Sequence, residues 1–188
     1  MARNAIYTVG YRRKREGKTH YKRRLELLKS QKNRLVIRKS NTGVTVQFVN
    51  YEPNGDRVLV TFNSKKLEGF GWKYSKKSFP ACYLTGLAAG KQALEKGVKD
   101  AILDLGLQTP KKGSRLYAVL KGVVDAGVTI PHNPEVFPNE KRLSGEHIAN
   151  GGEAVSAKAT GYAKNKLAVE KLPDAFAAAK KSITGDGA

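Results

Sequence analysis

Apolar and polar residues alternate with a period of two in three successive stretches of the chain, and the pattern then changes to helical spacing. Residues 34–39 read RLVIRK, apolar and then basic. In 44–51, Val44, Val46 and Phe48 fall on one face, with Thr45 and Gln47 on the other. Residues 57–63 repeat the alternation through Val58, Val60 and Phe62. A period of two is the signature of a half-buried strand. The joints at 40–43 (Ser-Asn-Thr-Gly) and 53–56 (Pro-Asn-Gly-Asp) carry Asn and Gly, which tolerate the positive φ of hairpin turns. These features predict an antiparallel meander whose apolar face must be covered.

Two helical stretches supply the cover. Ser78 is placed to cap a helix with Pro80 in its first turn, and Tyr83, Leu84, Leu87, Ala88 and Leu94 recur at helical spacing before Gly97. Gly86 and Gly90 stand four apart within it, a spacing that suits close packing against another helix. Residues 101–105 (AILDL) read as a short, buried, central strand. Ser114 then caps a second helix with Leu116, Val119, Leu120, Val123 and Val124 on its inner face, ending near Gly127, and 128–130 could add a last short strand. The predicted order is β-β-β-α-β-α, an α/β fold with a mixed sheet and a ribonuclease H-like topology.

The remaining zones flank this core, 34–130. The C-terminal extension, 131–188, opens with Pro131, Pro134 and Pro138, which suit an extended crossing segment. A short helix is expected from Ser144 and a hinge at Asn150, Gly151 and Gly152. A further helix starts at Leu172-Pro173-Asp174, with Leu172 placed to staple against Phe176 and Gly185 to end it. The N-terminal zone, 1–33, is a basic arm. Gly17 interrupts it, Thr19 is a candidate cap, and Tyr21, Leu25 and Leu28 share one face of the segment that follows.

Charge changes the picture from fold to partner. Across 188 residues, 35 Lys and Arg oppose 16 Asp and Glu, a net charge of +19. A small domain this basic repels itself unless a polyanion neutralises it. The cations cluster: Arg12, Arg13, Lys14, Arg15, Lys18, Lys22, Arg23 and Arg24 crowd the arm, with Glu16 and Glu26 as its acids. Arginine bonds phosphate oxygens through a planar fork, and Tyr7, Tyr11 and Tyr21 offer rings for unpaired bases. A second candidate patch joins Arg38, Lys39, Ser40 and Asn41 at the first turn with Lys111, Lys112 and Arg115 at the start of the second helix; Lys73, Lys76 and Lys77 precede the first. Cations at helix N-termini oppose the helix dipole, a conflict that a bound phosphate would resolve.

Catalytic and membrane signals are weak by comparison. The longest apolar stretch, 81–89, is broken by Thr85 and Gly86 and falls well short of the roughly 20 residues needed to span a bilayer. The opening residues lack an apolar segment long enough for a secretory leader. The single cysteine, Cys82, excludes an internal disulfide and fits a reducing cytoplasm. His20, His132 and His147 are widely separated, so no metal site or cofactor is expected. A ribonuclease H-like nuclease would need clustered carboxylates; Asp104 lies in the fourth strand, but Asp125, near the end of the last core helix, has no evident partner. A metal-dependent nuclease and a free-standing RNA chaperone or regulator are the alternatives to a structural RNA-binding role.

The strings YRRKREGKTHYKRRLELLKS (11–30), RLVIRKSN (34–41), YLTGLAAGKQA (83–93) and AILDLGLQTPKKGSRLYAVLKGVVDAGVTIPHN (101–133) resemble the archaeal and eukaryotic form of the ribosomal protein L-eighteen family. The resemblance extends over residues 7–149 and is dense. It implies a non-enzymatic constituent of the large ribosomal subunit, cytoplasmic in the ribosome, that binds 5S ribosomal RNA and helps attach it to the 23S-type RNA in the central protuberance. It also implies protein neighbours there, including the L-five family protein. RNA contacts carry over onto Arg12 to Arg24 of the arm and onto Arg38 to Asn41, and less directly onto Lys111, Lys112 and Arg115. Residues 150–188 carry no motif of the resemblance.

Overall fold

The computed structural model describes residues 8–151, 162 and 167–185. Two short helices, α1 (Arg12–Arg15) and α2 (Tyr21–Lys29), precede the meander of β1 (Arg34–Lys39), β2 (Val44–Asn50) and β3 (Arg57–Asn63). Leu35 lies opposite Phe48 and Ile37 opposite Val46, while Val46 faces Phe62 across the second pair. One face is therefore continuously apolar, as the alternation predicts. Val58 departs from it. The register shifts between Phe48 and Val49, Val58 pairs with Val49, and its side chain is 48% exposed. The extra residue of a β-bulge turns the start of β3 over.

A long helix, α3 (Phe79–Glu95), follows a 3-10 segment, Ser64–Phe70. Ser78 Oγ accepts from the Ala81 amide at 3.4 Å, and Pro80 occupies the first turn, where its missing N–H costs nothing. Next come β4 (Ile102–Asp104) and α4 (Arg115–Asp125), so the core order among the described residues is β-β-β-α-β-α. β4 runs parallel to β1, giving the sheet order β3-β2-β1-β4. The expectation of a central 101–105 strand is corrected: β4 has three residues and lies at the edge, and β1 is the strand with antiparallel and parallel neighbours. Residues 128–130 contribute a single parallel bridge, Asp100 to Thr129.

α3 and α4 cover the apolar face and touch each other through backbone. A Cβ on Gly86 would lie 2.1 Å from the Val119 carbonyl oxygen, and one on Gly122 2.2 Å from that of Tyr83. Side chains here would push the two axes apart. Phe48, Phe62, Leu67, Trp72, Leu84, Leu116 and Leu120 are fully buried around this crossing. Each such side chain stabilises the fold by about 1.5 to 3 kcal/mol relative to exposure.

The extension wraps the far side of α3. α5 (Glu140–Ser144) is capped by Asn139, and Gly145 (φ 90°) ends it before α6 (Glu146–Ala149). Ser144 closes α5, and its hydroxyl accepts from the Glu146 amide at 3.5 Å at the start of α6, the short helix expected there. α7 (Leu172–Thr184) ends at Gly185, as expected. Leu172 is its first residue and packs into a notch beside Gly145 and Pro80, while Phe176 packs on Tyr83 with ring centroids 5.6 Å apart. Asn150 and Gly151 follow α6; Gly152 of the expected hinge lies outside the described residues.

Candidate nucleic-acid interface

The outer face of the sheet, opposite α3 and α4, mixes polar side chains with the valines Val36 and Val49. Gln47 donates to Thr61 at 3.1 Å and Asn63 to Thr45 at 2.9 Å, forming short cross-strand ladders. On β1 the same face carries Arg34 and Arg38. Arg34 is 3% exposed, so its charge is out of water and requires partners. Its two terminal nitrogens reach Asp104 at 3.0 Å and Asp56 at 2.7 Å. Asp104 is also 3.5 Å from Arg38, and its carboxylate accepts from the Gly106 amide at 2.8 Å. Asp56 receives both terminal nitrogens of Arg24, at 2.9 and 2.8 Å. Charges of alternating sign thus run from Arg24 through Asp56, Arg34 and Asp104 to Arg38.

This relay meets the arm. Burial pushes the Asp56 carboxyl up, but hydrogen bonds from Arg24 and the adjacent Arg34 guanidinium outweigh it and hold the carboxyl below the ordinary carboxylate value. The same hydrogen bond raises the Arg24 guanidinium above its ordinary value against the opposing effect of burial. α2 buries none of its residues, and Leu25 is 58% exposed. Of the stripe, Tyr21 and Leu28 are half-buried and Leu25 is exposed; Arg24 on Asp56, and Arg23 donating to the Gly106 carbonyl at 2.8 Å, add polar holds. The cap is corrected as well. His20 Nδ1 accepts from the Arg23 amide at 3.1 Å, whereas the Thr19 hydroxyl accepts from Arg13 at 2.9 Å.

Gly17, at φ 62°, turns the chain between the two helices, and Tyr11 stacks near Tyr21 with centroids 4.9 Å apart. Between arm and sheet lies a cleft of about 460 Å³ lined by Arg13, Lys18, Tyr21, Arg23, Arg24 and Arg38, with Asp56 and Asp104 among its acids. Arg12, Lys14, Arg15 and Lys22 are exposed. Glu16 pairs with Lys18 at 2.9 Å and approaches Arg12 at 3.7 Å. Among the described residues, Arg13, Lys14, Arg15, Lys22 and Arg23 have no carboxylate in ion-pair contact. Tyr7 lies outside the described residues.

The other predicted groups lie elsewhere. Lys39, Ser40 and Asn41 are exposed at the β1–β2 turn, where the Ser40 amide and hydroxyl both bond the Gly43 carbonyl at 2.8 and 3.1 Å. Lys111 and Lys112 are exposed in the loop before α4, and Lys112 pairs with Glu135 at 3.1 Å. Arg115 donates to the Lys77 carbonyl at 3.1 Å, joining the starts of α3 and α4. None of these six lines the cleft. Sequence reasoning missed Asp56 and Gln108. Gln108 donates to the Ile37 carbonyl at 2.7 Å and accepts from the Lys39 amide at 3.2 Å, tying the loop after β4 to the end of β1.

The carboxylates that a nuclease would use are committed to cations. Asp104 pairs with Arg34 and Arg38, and Asp125 accepts from Tyr83 at 2.9 Å and Lys121 at 2.8 Å. Among the described residues no group of three His, Cys, Asp or Glu is placed to hold a metal ion. No described helix is long and apolar enough to cross a membrane.

Fold and site together define an α/β protein in which a cation-rich helical arm is latched to the outer face of a mixed sheet. The model for the family described as "Ribosomal large subunit proteins 60S L5, and 50S L18" matches residues 5–101 and 95–133. The large ribosomal subunit protein uL18 of Korarchaeum cryptofilum (strain OPF8) is 52% identical over 153 residues, 81% of this chain and 78% of its own. The protein of that name from Methanosphaera stadtmanae is 43% identical over 188 residues, 97% of each chain. The chain belongs to this family of large-subunit ribosomal proteins, in its archaeal and eukaryotic form. It is a ribosomal family and not an enzyme family.

Proposed function

We propose that the protein is a structural constituent of the large ribosomal subunit, in the cytoplasm, that binds 5S ribosomal RNA and helps attach it to the 23S-type RNA in the central protuberance. The observation that carries this reading is the arm: exposed Arg12, Lys14, Arg15 and Lys22, with Arg13, Lys18 and Arg23 beside a cleft and the Tyr11–Tyr21 pair next to them. Phosphate contacts from these cations fix register, and an aromatic pair at their edge suits unstacked bases. Lys39, Ser40 and Asn41 extend the surface at one turn, and Lys111, Lys112 and Arg115 offer a second one for the 23S-type RNA or for protein neighbours, the L-five family protein among them.

In this reading the chain divides into an arm (1–33), a core (34–130) and an extension (131–188). The strand order, with β4 parallel to β1, supports a ribonuclease H-like core without its metal site. The role is positional and not catalytic.

The test is affinity for folded 5S ribosomal RNA against a transfer RNA of similar size across a salt series. The reading predicts a 5S preference of at least about tenfold and a steep log–log slope, from roughly five to eight phosphate contacts. Replacing Arg12, Arg13, Lys22 and Arg23 together by Ala abolishes that preference. Equal affinity for both RNAs, erased by moderate salt, overturns the reading.

A further inference from the structure

A net charge of +19 favours any polyanion, so an acid kept at the root of the arm opposes binding unless it has another task. Asp56 is such an acid. It closes the β2–β3 turn, where the Gly55 amide bonds the Glu52 carbonyl at 3.0 Å and makes the turn a firm support. It reaches 32 residues back along the chain to grip Arg24 through both of that guanidinium's terminal nitrogens. Its other partner, Arg34, is anchored in the sheet by Asp104 at 3.0 Å. α2 itself has no fully buried side chain, only half-buried Tyr21, Arg24, Leu27 and Leu28.

We propose that Asp56 and Arg24 are positioning residues: their bidentate pair fixes α2 on the outer sheet face, and so aims the arm's other cations before RNA arrives. The inference rests on the RNA-binding reading for its consequence, and on the structure alone for the latch. An arm held in its bound direction loses less freedom on binding, which raises affinity without any new contact. Arg24 then differs from Arg12, Lys14 and Lys22. Its donors face a carboxylate of the protein, and its effect on RNA is exerted through the helix.

The test turns on the sign of one substitution. Asp56→Asn removes a negative charge from a basic surface, so simple electrostatics makes every RNA bind more tightly. The latch makes 5S ribosomal RNA bind less tightly, by about three- to tenfold, the range expected when a partly exposed bidentate pair is lost. Arg24→Gln, which leaves Arg34 and Asp56 paired, has a similar effect, and the double variant is no worse than either alone because one interaction has been removed twice. Amide exchange in residues 21–29 of the full chain without RNA speeds up in all three variants, while the melting temperature of Arg24→Gln stays within a degree or two of the parent.

Tighter or unchanged 5S binding by Asp56→Asn, or additive losses in the double variant, overturns the positioning role. Unchanged exchange in 21–29 overturns the latch itself. If the parent shows no preference for 5S over transfer RNA, the proposed function fails instead, and the exchange rates still decide the latch.

Discussion

The two faces of the sheet are held to their neighbours by different forces. On the inner face, α3 and α4 press on β1, β2 and β3 through fully buried Phe48, Phe62, Leu84 and Leu120, and on each other through Gly86 and Gly122. On the outer face, α2 has no fully buried side chain, only half-buried Tyr21, Arg24, Leu27 and Leu28, and is tied down by the ion pairs of Arg24, Asp56 and Arg34. Apolar burial carries no charge for salt to screen, whereas partly exposed ion pairs weaken as ionic strength shortens the screening length, about 10 Å at 0.1 M. One sequence thus builds a body held by apolar burial and attaches to it, with ion pairs that salt weakens, the segment that carries its densest charge.

Two experiments on the inner face set the scale of the contrast. Burial pushes the Cys82 thiol up to about 12. Because only the thiolate reacts, its labelling near pH 8 is expected to run about a thousandfold slower than that of an unfolded thiol, and to follow global unfolding. Fast labelling of the native protein would show that the helix layer opens locally. Gly86→Val places a side chain where the Val119 carbonyl oxygen stands, only 2.1 Å from the first added atom. Backbone cannot yield as a flexible side chain does, so urea unfolding should register a loss of about 3 kcal/mol. A loss below about 1 kcal/mol would mean that α3 and α4 slide apart cheaply.

The two faces also differ in how much of them can be read in sequence. The inner face follows from periodicity: Val44, Val46 and Phe48 announce a strand, and Gly86 and Gly90 announce a close helix crossing. Each signal is local and repeats. The bulge that turns Val58 outward has no such signal, since it depends on how β3 meets β2. The arm's charge was legible as composition, but its attachment was not. Arg24 sits among eight cations that look alike in sequence, and Asp56, a turn residue 32 positions away, singles it out. Likewise Asp104, conspicuous as a lone acid in an apolar strand, acquires meaning only when pairing sets β4 beside β1 and Arg34 within 3.0 Å. Long-range pairing of charges has no period, which is why a reading based on periods finds the core and misses the latch.

The buried middle of the relay should matter more than its ends. Asp104→Asn leaves Arg34 with Asp56 as its sole carboxylate and weakens the hold on Arg38. Because Arg34 stays charged and out of water, the expected cost is about 2 kcal/mol of global stability in thermal or urea unfolding. Arg24→Gln, at the relay's exposed end, should cost well under 1 kcal/mol by the same measure. Equal costs for the two would mean that the relay does not grade from body to arm as its exposure suggests.

The smallest effect expected is the dependence of arm docking on pH, and its direction is fixed by Asp56. Its carboxyl is held below the ordinary value of 3.8 by Arg24 and Arg34, despite burial. A group whose acidity is strengthened by folding stabilises the folded arrangement above its unfolded value, and that contribution fades as pH falls through the lowered folded value. Docking of α2, followed by amide exchange corrected for its intrinsic pH dependence, should therefore be level between pH 8 and about pH 5. It should begin to weaken only below about pH 4, by no more than roughly 1 kcal/mol, as suits a pair that is partly open to water. Salt gives the complementary curve: raising ionic strength at pH 7 should loosen α2 while Cys82 stays protected. Were α2 to loosen already near neutral pH instead, a group other than Asp56 would be in control, and the relay through Asp56 would not be what holds the arm to the sheet.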